Sequence, residues 1–435
     1  MKYVDSGYGK VPLISLIAIL SISLTVNLPG LAISPIMDKL DHVFKHVTEL
    51  EIQLLTVLPN LVTIPFILCS GKICTPKNQI KVLALGLGLF ALTGVLYFFA
   101  DSMLELILLS CLLGVGCGLV IPLAASLISQ YFSGKARTKQ LGMKSSLSNF
   151  SVIFATLFVG WMAAINWHLS FIVYLVPIIP LALIPFMTDG YLRKHSILNP
   201  GVTYKPDGEL TEESASAESN SKGAKVKKNV LPKKKLIGLL FGIMALYFAI
   251  TYGTEVVSYY LPFTMGHYHL STGEVGVATA MYFLACTISG FLLTEIISLF
   301  KKYTVHVALA FCVIGLLMIG MLHYYWSFIL GVLIMGLGYG TIQPVIYDKT
   351  SAIAPTPAKS TAYFSYLLTC NYIGISSVPF IIEGAEKVMH GQSNPNFSFI
   401  FNGIFLAAVF LLAILTHRSF VFEVDGAPAK PAKKE

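Results

Sequence analysis

Three polar side chains stand out inside one of the most apolar stretches of the chain. Tyr252, Glu255 and Tyr259 are spaced at i, i+3 and i+7, so on a helix they share one face. Desolvation disfavours the charged form of a carboxyl group in such surroundings. Glu255 could therefore carry a coupling proton, or orient a cationic or hydrogen-bonding group of a small solute. The alternative is a protonated glutamic acid that hydrogen-bonds a neighbouring helix.

Further polar residues inside apolar runs complete a set around this acid. Polar groups in such runs face protein or water rather than lipid, so each is a candidate solute contact or a hydrogen bond between helices. In an apolar cavity, Tyr and Asn suit a large amphipathic solute, held by apolar area and oriented by few polar groups. The predicted solute-binding residues are Asn27, Asn60, Asn149, Tyr252, Glu255, Tyr259, Tyr282, Tyr339, Gln343 and Asn371.

Three glycines at alternate positions form a second pattern, GVGCGLVIP at 114–122. It is not a phosphate-binding loop, because its flanks are apolar and no strand precedes it. It recurs as GLGYGTIQP at 336–344, each glycine and the proline shifted by 222 residues. Glycines on a helix face let a neighbouring backbone approach, and a proline bends the helix. The predicted gating or hinge residues are Gly114, Gly118, Pro122, Gly336, Gly340 and Pro344; the alternative is close packing alone.

The composition predicts a membrane protein. The chain has 435 residues, of which 55% are hydrophobic and 12% charged, against about 25% charged in soluble domains. A transmembrane helix needs roughly 20 apolar residues. The sequence contains twelve such runs and so predicts an all-α fold of twelve transmembrane helices. The predicted spans are 11–36, 50–70, 82–100, 105–131, 141–164, 168–188, 236–263, 274–299, 304–322, 325–350, 359–382 and 397–417.

Most of the basic residues fall in segments that lie on one side of the membrane. With a cytoplasmic N-terminus, 27 of the 30 Lys and Arg residues fall on the cytoplasmic side, and only Lys39, Lys45 and Lys387 fall on the other. This positive-inside pattern predicts that both termini are cytoplasmic in a cell membrane. The net charge of +8 then sets topology, and no nucleic-acid partner is expected. The segment 133–144, which includes Lys144, is counted here as a cytoplasmic loop.

Acidic residues other than Glu255 lie mostly outside the spans. Glu295 and Asp348 fall in the cytoplasmic ends of spans 8 and 10, near three lysines. They are predicted to form gate or structural ion pairs rather than solute contacts; the three lysines are Lys301, Lys302 and Lys349. The seven cysteines have no zinc-ligand spacing and are expected to be small hydrophobic residues rather than disulfides or ligands.

A long polar segment divides the chain. Residues 189–235 are rich in Ser, Glu and Lys and cannot bury a core, so they are predicted to be a mobile cytoplasmic linker. The predicted domains are a six-helix bundle at 1–188, the linker at 189–235, a second six-helix bundle at 236–417 and a cytoplasmic tail at 418–435.

This arrangement resembles the major facilitator superfamily over residues 10–420. LLSCLLGVGCGLVIP resembles the fourth-helix motif of its drug–proton antiporter branch, YFSGKARTKQLGMKSS resembles its loop 4–5, and NWHLSF resembles the start of its sixth helix. The resemblance implies two pseudo-symmetric bundles, a solute site near the midplane between them, and rocking of one bundle against the other.

The sequence also departs from that branch. Thr75 occupies the position of the usual acid in loop 2–3, and Ser110 that of the usual arginine in the fourth helix. The fifth-helix antiporter signature is reduced to Gly160. These departures leave the coupling mechanism open. In overall character and in its APAKPAKKE tail, the chain also resembles the conjugated bile-salt transporters of gut lactobacilli.

These features predict a secondary active transporter for an amphipathic organic solute, with a conjugated bile salt as one organic anion of this class. The alternatives are a proton-coupled multidrug efflux transporter and a membrane sensor that does not move its ligand. A membrane-embedded enzyme is disfavoured, because the sequence has no Walker pattern, hydrolytic triad or metal cluster. No cofactor is expected. The predicted partners are the small amphipathic solute and the lipid bilayer, and the protein is predicted to be a monomer.

Overall fold

The computed structural model is mostly helical and has two small antiparallel sheets. Long apolar stretches favour helices in lipid, because a helix satisfies all its backbone hydrogen bonds within the segment. The structure describes residues 2–31, 40, 43–44, 49–75, 77–199, 202–204, 210–212, 233–270, 272–354, 359–389, 394–416, 419–422 and 424.

The α-helices are numbered in chain order over the described residues. They are α1 Leu13–Ser21, α2 Leu28–Leu31, α3 Glu49–Ile73, α4 Gln79–Leu96, α5 Met103–Tyr131, α6 Gly134–Ile165, α7 Ile178–Leu183, α8 Asp189–His195, α9 Lys233–His267, α10 Thr272–Phe291, α11 Leu293–Phe300, α12 Thr304–Met321, α13 Tyr325–Ile353, α14 Ser360–Met389 and α15 Phe397–Leu415. Shorter 3₁₀ turns lie at Ile22–Thr25, Tyr97–Phe99, Trp167–Leu175, Ile184–Met187 and Lys301–Tyr303.

Within the described residues, ten helical segments are long and apolar enough to cross a membrane. Two shorter apolar segments, Leu13–Thr25 and Val57–Ile73, add to them. Together these twelve segments correspond to the twelve predicted spans, and the predicted fold class is confirmed.

The helix that contains the fifth predicted span begins before that span. The fifth span was placed at 141–164, with Lys144 still assigned to the preceding loop, but α6 begins at Gly134 directly after Ser133. The hydropathy of the first turns of α6 is low because they carry Lys135, Arg137 and Lys139. These turns are helical nevertheless, and Lys144 therefore lies inside a helix that is long enough to span the membrane.

Local sequence signals set several helix ends. At the start of α5, the Ser102 side chain accepts a hydrogen bond from the Glu105 amide and the Glu105 carboxylate accepts one from the Ser102 amide. This capping box satisfies two backbone donors that have no partner inside the helix. Pro122 and Pro344 both lie within long helices, α5 and α13.

The chain also contains strands that the apolar pattern does not predict. Strands β1 (Tyr3–Asp5), β2 (Gly9–Pro12) and β3 (Ile197–Leu198) form an antiparallel sheet in the order β1-β2-β3. Strands β4 (Val202–Tyr204) and β5 (Leu210–Glu212) pair separately. With α8, these strands make parts of the segment 189–212 regular, so the predicted linker is structured in these parts.

Two compact units account for the chain. The first comprises Met1–Met244 and Tyr347–Tyr372, and the second comprises Ala245–Ile346 and Ile373–Glu435. Each has its own apolar core, with Phe90 and Phe171 fully buried in the first and Phe328 and Phe399 in the second. The predicted domain boundaries at 188, 235 and 417 stay a prediction. The seven cysteines are free thiols.

Candidate functional site

The predicted carboxylate lies in α9, in the second unit. Glu255 is half-buried, and the hydroxyl of Ser258, three residues later, lies beside its carboxylate. Among the described residues, no Lys, Arg or His lies within salt-bridge distance of Glu255. The hydroxyls of Tyr259, Tyr282 and Tyr339 are in electrostatic range. Within the part of the chain that the structure describes, the neighbours of this acid are therefore hydroxyl groups rather than basic side chains.

A glutamine connects the tyrosines of this region. The side-chain amide of Gln343 in α13 donates to the hydroxyl of Tyr247 at 3.3 Å and to that of Tyr339 at 3.4 Å. The rings of Tyr339 and Tyr282 lie 6.4 Å apart, within the range of aromatic pairs. Side chains from α9, α10 and α13 are thus brought together; they are Glu255, Tyr259, Tyr282, Tyr339 and Gln343, and their predicted role in solute binding stays a prediction. We call this set, together with Tyr247, the tyrosine cluster.

Tyr247 was missed at the sequence level. It is fully buried in α9. It stands eight residues before Glu255, so the two side chains lie on the same side of the helix. That spacing could have identified it.

Tyr252 occupies a different position from its predicted partners. Its ring stacks on Phe248 at 6.2 Å and meets Phe405 of α15 edge-on at 5.2 Å. The residue is 2% exposed, and its hydroxyl has no hydrogen-bond partner among the described residues. A buried hydroxyl without a partner is costly, so this group is available to a polar atom of a ligand.

The first unit holds the predicted asparagines. The amide of Asn27 donates to the carbonyl of Asn149 in α6 at 3.5 Å, so the two predicted residues are brought together. The side-chain amide nitrogen of Asn149 is buried and has no partner among the described residues. Asn60 in α3 is half-buried and Asn371 in α14 is buried. Each of these last two has other interactions within the protein.

The two glycine patterns make the same contacts in each unit. A Cβ atom on Gly114 would lie 2.6 Å from the carbonyl oxygen of Pro59 in α3, and one on Gly118 would lie 2.7 Å from that of Thr63. A Cβ atom on Gly116, between them, would instead meet Phe90 of α4 at 3.0 Å. The middle glycine therefore faces a different helix from the outer two.

In the second unit, the outer glycines Gly336 and Gly340 face α10, at Tyr282 and Cys286, and the middle glycine Gly338 faces α12 at Cys312. Each pattern thus lets one helix approach two others closely. The predicted close approach is present in both units, and the predicted hinge role of these glycines and of Pro122 and Pro344 stays a prediction.

Asp348 forms an ion pair, but with a different partner from those predicted. The guanidinium Nε of Arg137 in α6 lies 2.8 Å from Oδ1 of Asp348 in α13, and the hydroxyl of Thr138 donates to Oδ2 at 3.0 Å. The prediction of an ion pair did not name Arg137; of the three lysines noted, only Lys349 is adjacent to Asp348 in sequence. Glu295 accepts a hydrogen bond from the Thr294 hydroxyl at 2.8 Å.

A buried lysine was also missed. Lys144 is 2% exposed in α6, and its ammonium lies 4.2 Å from the centroid of the Tyr347 ring. A signal was present: Arg137, Gln140, Lys144, Ser148 and Ser151 follow each other at three- or four-residue spacing and form one polar face. The apolar-run count placed Lys144 in a loop and hid that face.

Comparisons with known proteins agree with this architecture. The sequence profile of the Major Facilitator Superfamily matches residues 13–379. Solved structures with the same fold include the proton:xylose symporter XylE (TM-score 0.69, 16% identity, 95% of this chain and 96% of that one) and the human organic anion transporter MFSD10 (TM-score 0.66, 13% identity, 92% and 97%).

A curated relative adds a shorter sequence match. The multidrug transporter protein MdtP of Bacillus subtilis (strain 168) is 29% identical over 107 residues, which are 24% of this chain and 20% of the relative. The family profile, by contrast, covers most of the chain, and the fold matches nearly all of it. The chain is a member of the Major Facilitator Superfamily, a multi-pass membrane protein that acts as a secondary transporter rather than an enzyme.

Proposed function

We propose that this transporter moves an amphipathic organic solute across the cell membrane by alternating access, with the tyrosine cluster as part of its binding site. The observation that carries the proposal is a set of tyrosine, glutamine and glutamate side chains drawn from three helices. In this proposal the protein works as a monomer in the bilayer, with both termini in the cytoplasm.

The chemistry of the cluster favours an amphipathic solute. Tyrosine rings offer apolar area together with a hydroxyl at one end. Binding sites of this kind hold a ligand through apolar contact and orient it through few polar groups. A strongly hydrated small ion or sugar would need more polar contacts than Gln343, Glu255 and the tyrosine hydroxyls supply.

The names of the similar proteins refer to different solutes. MFSD10 is described as an organic anion transporter, MdtP as a multidrug transporter and XylE as a proton:xylose symporter. The first supports an organic anion, such as a conjugated bile salt, as the solute. The second supports a second candidate function, proton-coupled efflux of several drugs. Transport of radiolabelled taurocholate and of the cationic dye ethidium by proteoliposomes separates the two.

Glu255 is the coupling residue in this proposal. Without a basic partner, its carboxylate is most stable in the low-dielectric interior when it is protonated. A change of access that exposes it to water on one side would let it release that proton. Its hydroxyl neighbours Ser258 and Tyr259 can hydrogen-bond either form.

The experiment compares wild type with Glu255→Gln in proteoliposomes under an imposed pH gradient. Glutamine keeps the shape of the side chain and removes its titration. Glu383→Gln is the matched control, because Glu383 is exposed on α14 and pairs only with Lys387 at 2.7 Å among the described residues. We expect pH-driven flux to fall to background in the Glu255 variant and to stay at the wild-type level in the control.

Three outcomes separate the roles of Glu255. Lost flux with solute binding retained supports the proton role, and lost binding supports direct contact with the solute. Wild-type flux across the pH range overturns both roles. Saturable binding by the wild type without movement under any gradient overturns transport and favours the sensor alternative.

The topology has its own test. An epitope tag inserted at 213–225 is expected to be reached by antibody only after the cells are permeabilised. Labelling of the tag on intact cells would overturn the proposed cytoplasmic side.

A further inference from the structure

Lys144 is a buried lysine that has no role in the proton coupling proposed for Glu255. It lies in the helical segment Gly134–Met162, about 15 Å along α6 from Gly134 at about 1.5 Å per residue. Its side chain is 2% exposed. A lysine that is buried in a helix able to span the membrane is expensive and marks a functional site by default.

The charge of Lys144 has no carboxylate partner in the part of the chain that the structure describes. Among the described residues, no Asp or Glu lies within 4.0 Å of the Lys144 ammonium. Asp348 directly follows Tyr347, whose ring contacts Lys144. The Asp348 carboxylate already pairs with Arg137 at 2.8 Å and accepts a hydrogen bond from the Thr138 hydroxyl at 3.0 Å. Removing a charge from water without a partner costs far more than a single contact restores.

An aromatic ring covers the ammonium. The centroid of the Tyr347 ring lies 4.2 Å from Nζ, a cation–π contact, and Phe364 supports that ring edge-on at 6.0 Å. A cation–π contact compensates only part of the desolvation of an ammonium. A charge-assisted hydrogen bond to an anion is stronger and would displace the ring.

A second buried group points to the same place. Gln140 precedes Lys144 by one helical turn, so the two side chains are neighbours on one face of α6. It is 3% exposed, and its side-chain carbonyl oxygen has no hydrogen-bond partner among the described residues. A ligand that brings an anionic group to Lys144 and a hydroxyl to Gln140 would satisfy both groups, while the rings of Tyr347 and Phe364 offer apolar contact.

We propose that Lys144 binds the carboxylate or sulfonate of the transported solute, with Gln140 accepting a hydrogen bond from a hydroxyl of the same molecule. The inference rests on the proposed function and narrows its solute to an amphipathic organic anion. Tyr347 covers the ammonium when no anion is bound and moves aside when one binds.

The test measures binding of two steroid amphiphiles to the purified protein in detergent. Taurocholate carries a sulfonate, and a bile alcohol has the same ring system without an anionic group. We expect the wild type to bind taurocholate at least tenfold more tightly than the alcohol. Lys144→Gln is expected to remove that preference and leave alcohol binding unchanged within twofold. Lys144→Arg, which keeps the charge, is expected to retain it.

Lys139→Gln is the matched control, because Lys139 is an exposed lysine on the same helix, and it is expected to behave as wild type. Equal loss of both ligands in Lys144→Gln would overturn the inference. Equal wild-type affinity for taurocholate and the alcohol would also overturn it, and this measurement holds even if Lys144→Gln does not fold.

The same proteins in proteoliposomes distinguish this inference from the proposed function. Transport of amphiphiles without preference for the anion would overturn the anion site and leave the proposed function in place. Binding of taurocholate that depends on Lys144, without any transport, would support the anion site and overturn the proposed function.

Discussion

The regions around Glu255 and Lys144 each hold an ionisable residue inside a long apolar helix, with no oppositely charged partner among the described residues, and their surroundings differ. Glu255 is half-buried, with the Ser258 hydroxyl beside it and tyrosine hydroxyls in range. Lys144 is 2% exposed and lies under the face of the Tyr347 ring. Hydroxyl groups can hydrogen-bond both protonation states of an acid, whereas a ring face can only attract a cation.

This difference teaches how each residue can lower the cost of its burial. Glu255 can do so by taking up a proton, since its neighbours tolerate the neutral form. Lys144 lies against a ring that favours its charged form. In our proposal, a ligand that brings a negative charge lowers the desolvation cost of this ammonium. One region is therefore suited to proton exchange and the other to anion binding.

The two units share the same pattern of helix packing at their repeated glycines. In the first unit Gly114 and Gly118 face α3, and in the second Gly336 and Gly340 face α10, with a middle glycine on a further helix in both. The repeat therefore specifies helix packing. The chemistry comes from side chains that differ between the repeats, as expected when function resides in sites placed on a common fold.

The largest expected effect tests this shared scaffold. Gly118→Leu and Gly340→Leu would each place a Cβ atom 2.7 Å or closer to atoms of a neighbouring helix. We expect each to cost about 1–3 kcal/mol of stability or more, and to lower the yield of monodisperse protein. The measurement is size-exclusion chromatography with thermal unfolding.

The control for these substitutions is Gly88→Leu in α4, where a Cβ atom would meet no atom within 4 Å. It is expected to behave as wild type. If Gly118→Leu is harmless while Gly340→Leu is severe, the two patterns do not share a packing role and the comparison fails.

A smaller effect is expected from the hydrogen bonds of the tyrosine cluster. Gln343→Leu removes the side-chain amide that donates to Tyr247 and Tyr339 and, in the proposed site, one hydrogen bond to the solute. We expect solute affinity to fall about three- to tenfold, which corresponds to one net hydrogen bond. Gln79→Leu is the contrast, because Gln79 pairs with Gln130 at 2.7 and 2.8 Å and lies outside both regions.

The contrast variant is expected to lower the unfolding temperature without changing solute affinity. Binding isotherms and thermal unfolding of both variants supply the two readouts. Unchanged affinity in Gln343→Leu would remove the tyrosine cluster from the binding site.

The smallest effect is expected at the ion pair beside the Lys144 region. Asp348→Asn weakens a partly exposed contact with Arg137, and such pairs contribute about 0–1 kcal/mol. We expect a small decrease in thermal stability and an unchanged preference for anionic solutes. A lost anion preference would mean that Asp348, rather than Lys144 alone, shapes the anion site.

The sequence predicted the elements better than the contacts between them. The twelve apolar runs follow directly from the chemistry of lipid, and the depth of Glu255 follows from their length. The helix starting at Gly134 was missed at its first turns because their polarity resembles a loop, and Lys144 was misplaced with them. The signal for a helix was available, because the polar residues Gln140, Lys144 and Ser148 follow each other at four-residue spacing.

Other features depend on residues far apart in the chain. Strand β2 pairs with β3, nearly 190 residues later, so its few residues carry no local signal of a sheet. The partner of Asp348 is Arg137, more than 200 residues earlier, in a segment that the sequence predicts to be a loop. The repeated glycines could be predicted to allow close approach, but the helix that each one faces is known only from the packing.

The central claim is that Glu255 serves the proton and Lys144 serves the anion. The most direct measurement is taurocholate uptake into proteoliposomes, with and without a pH gradient, for wild type, Glu255→Gln and Lys144→Gln. We predict that Glu255→Gln binds taurocholate but loses the response to the gradient, whereas Lys144→Gln binds taurocholate no more tightly than the bile alcohol. The same defect in both variants, or a normal response to the gradient in Glu255→Gln, would contradict the account.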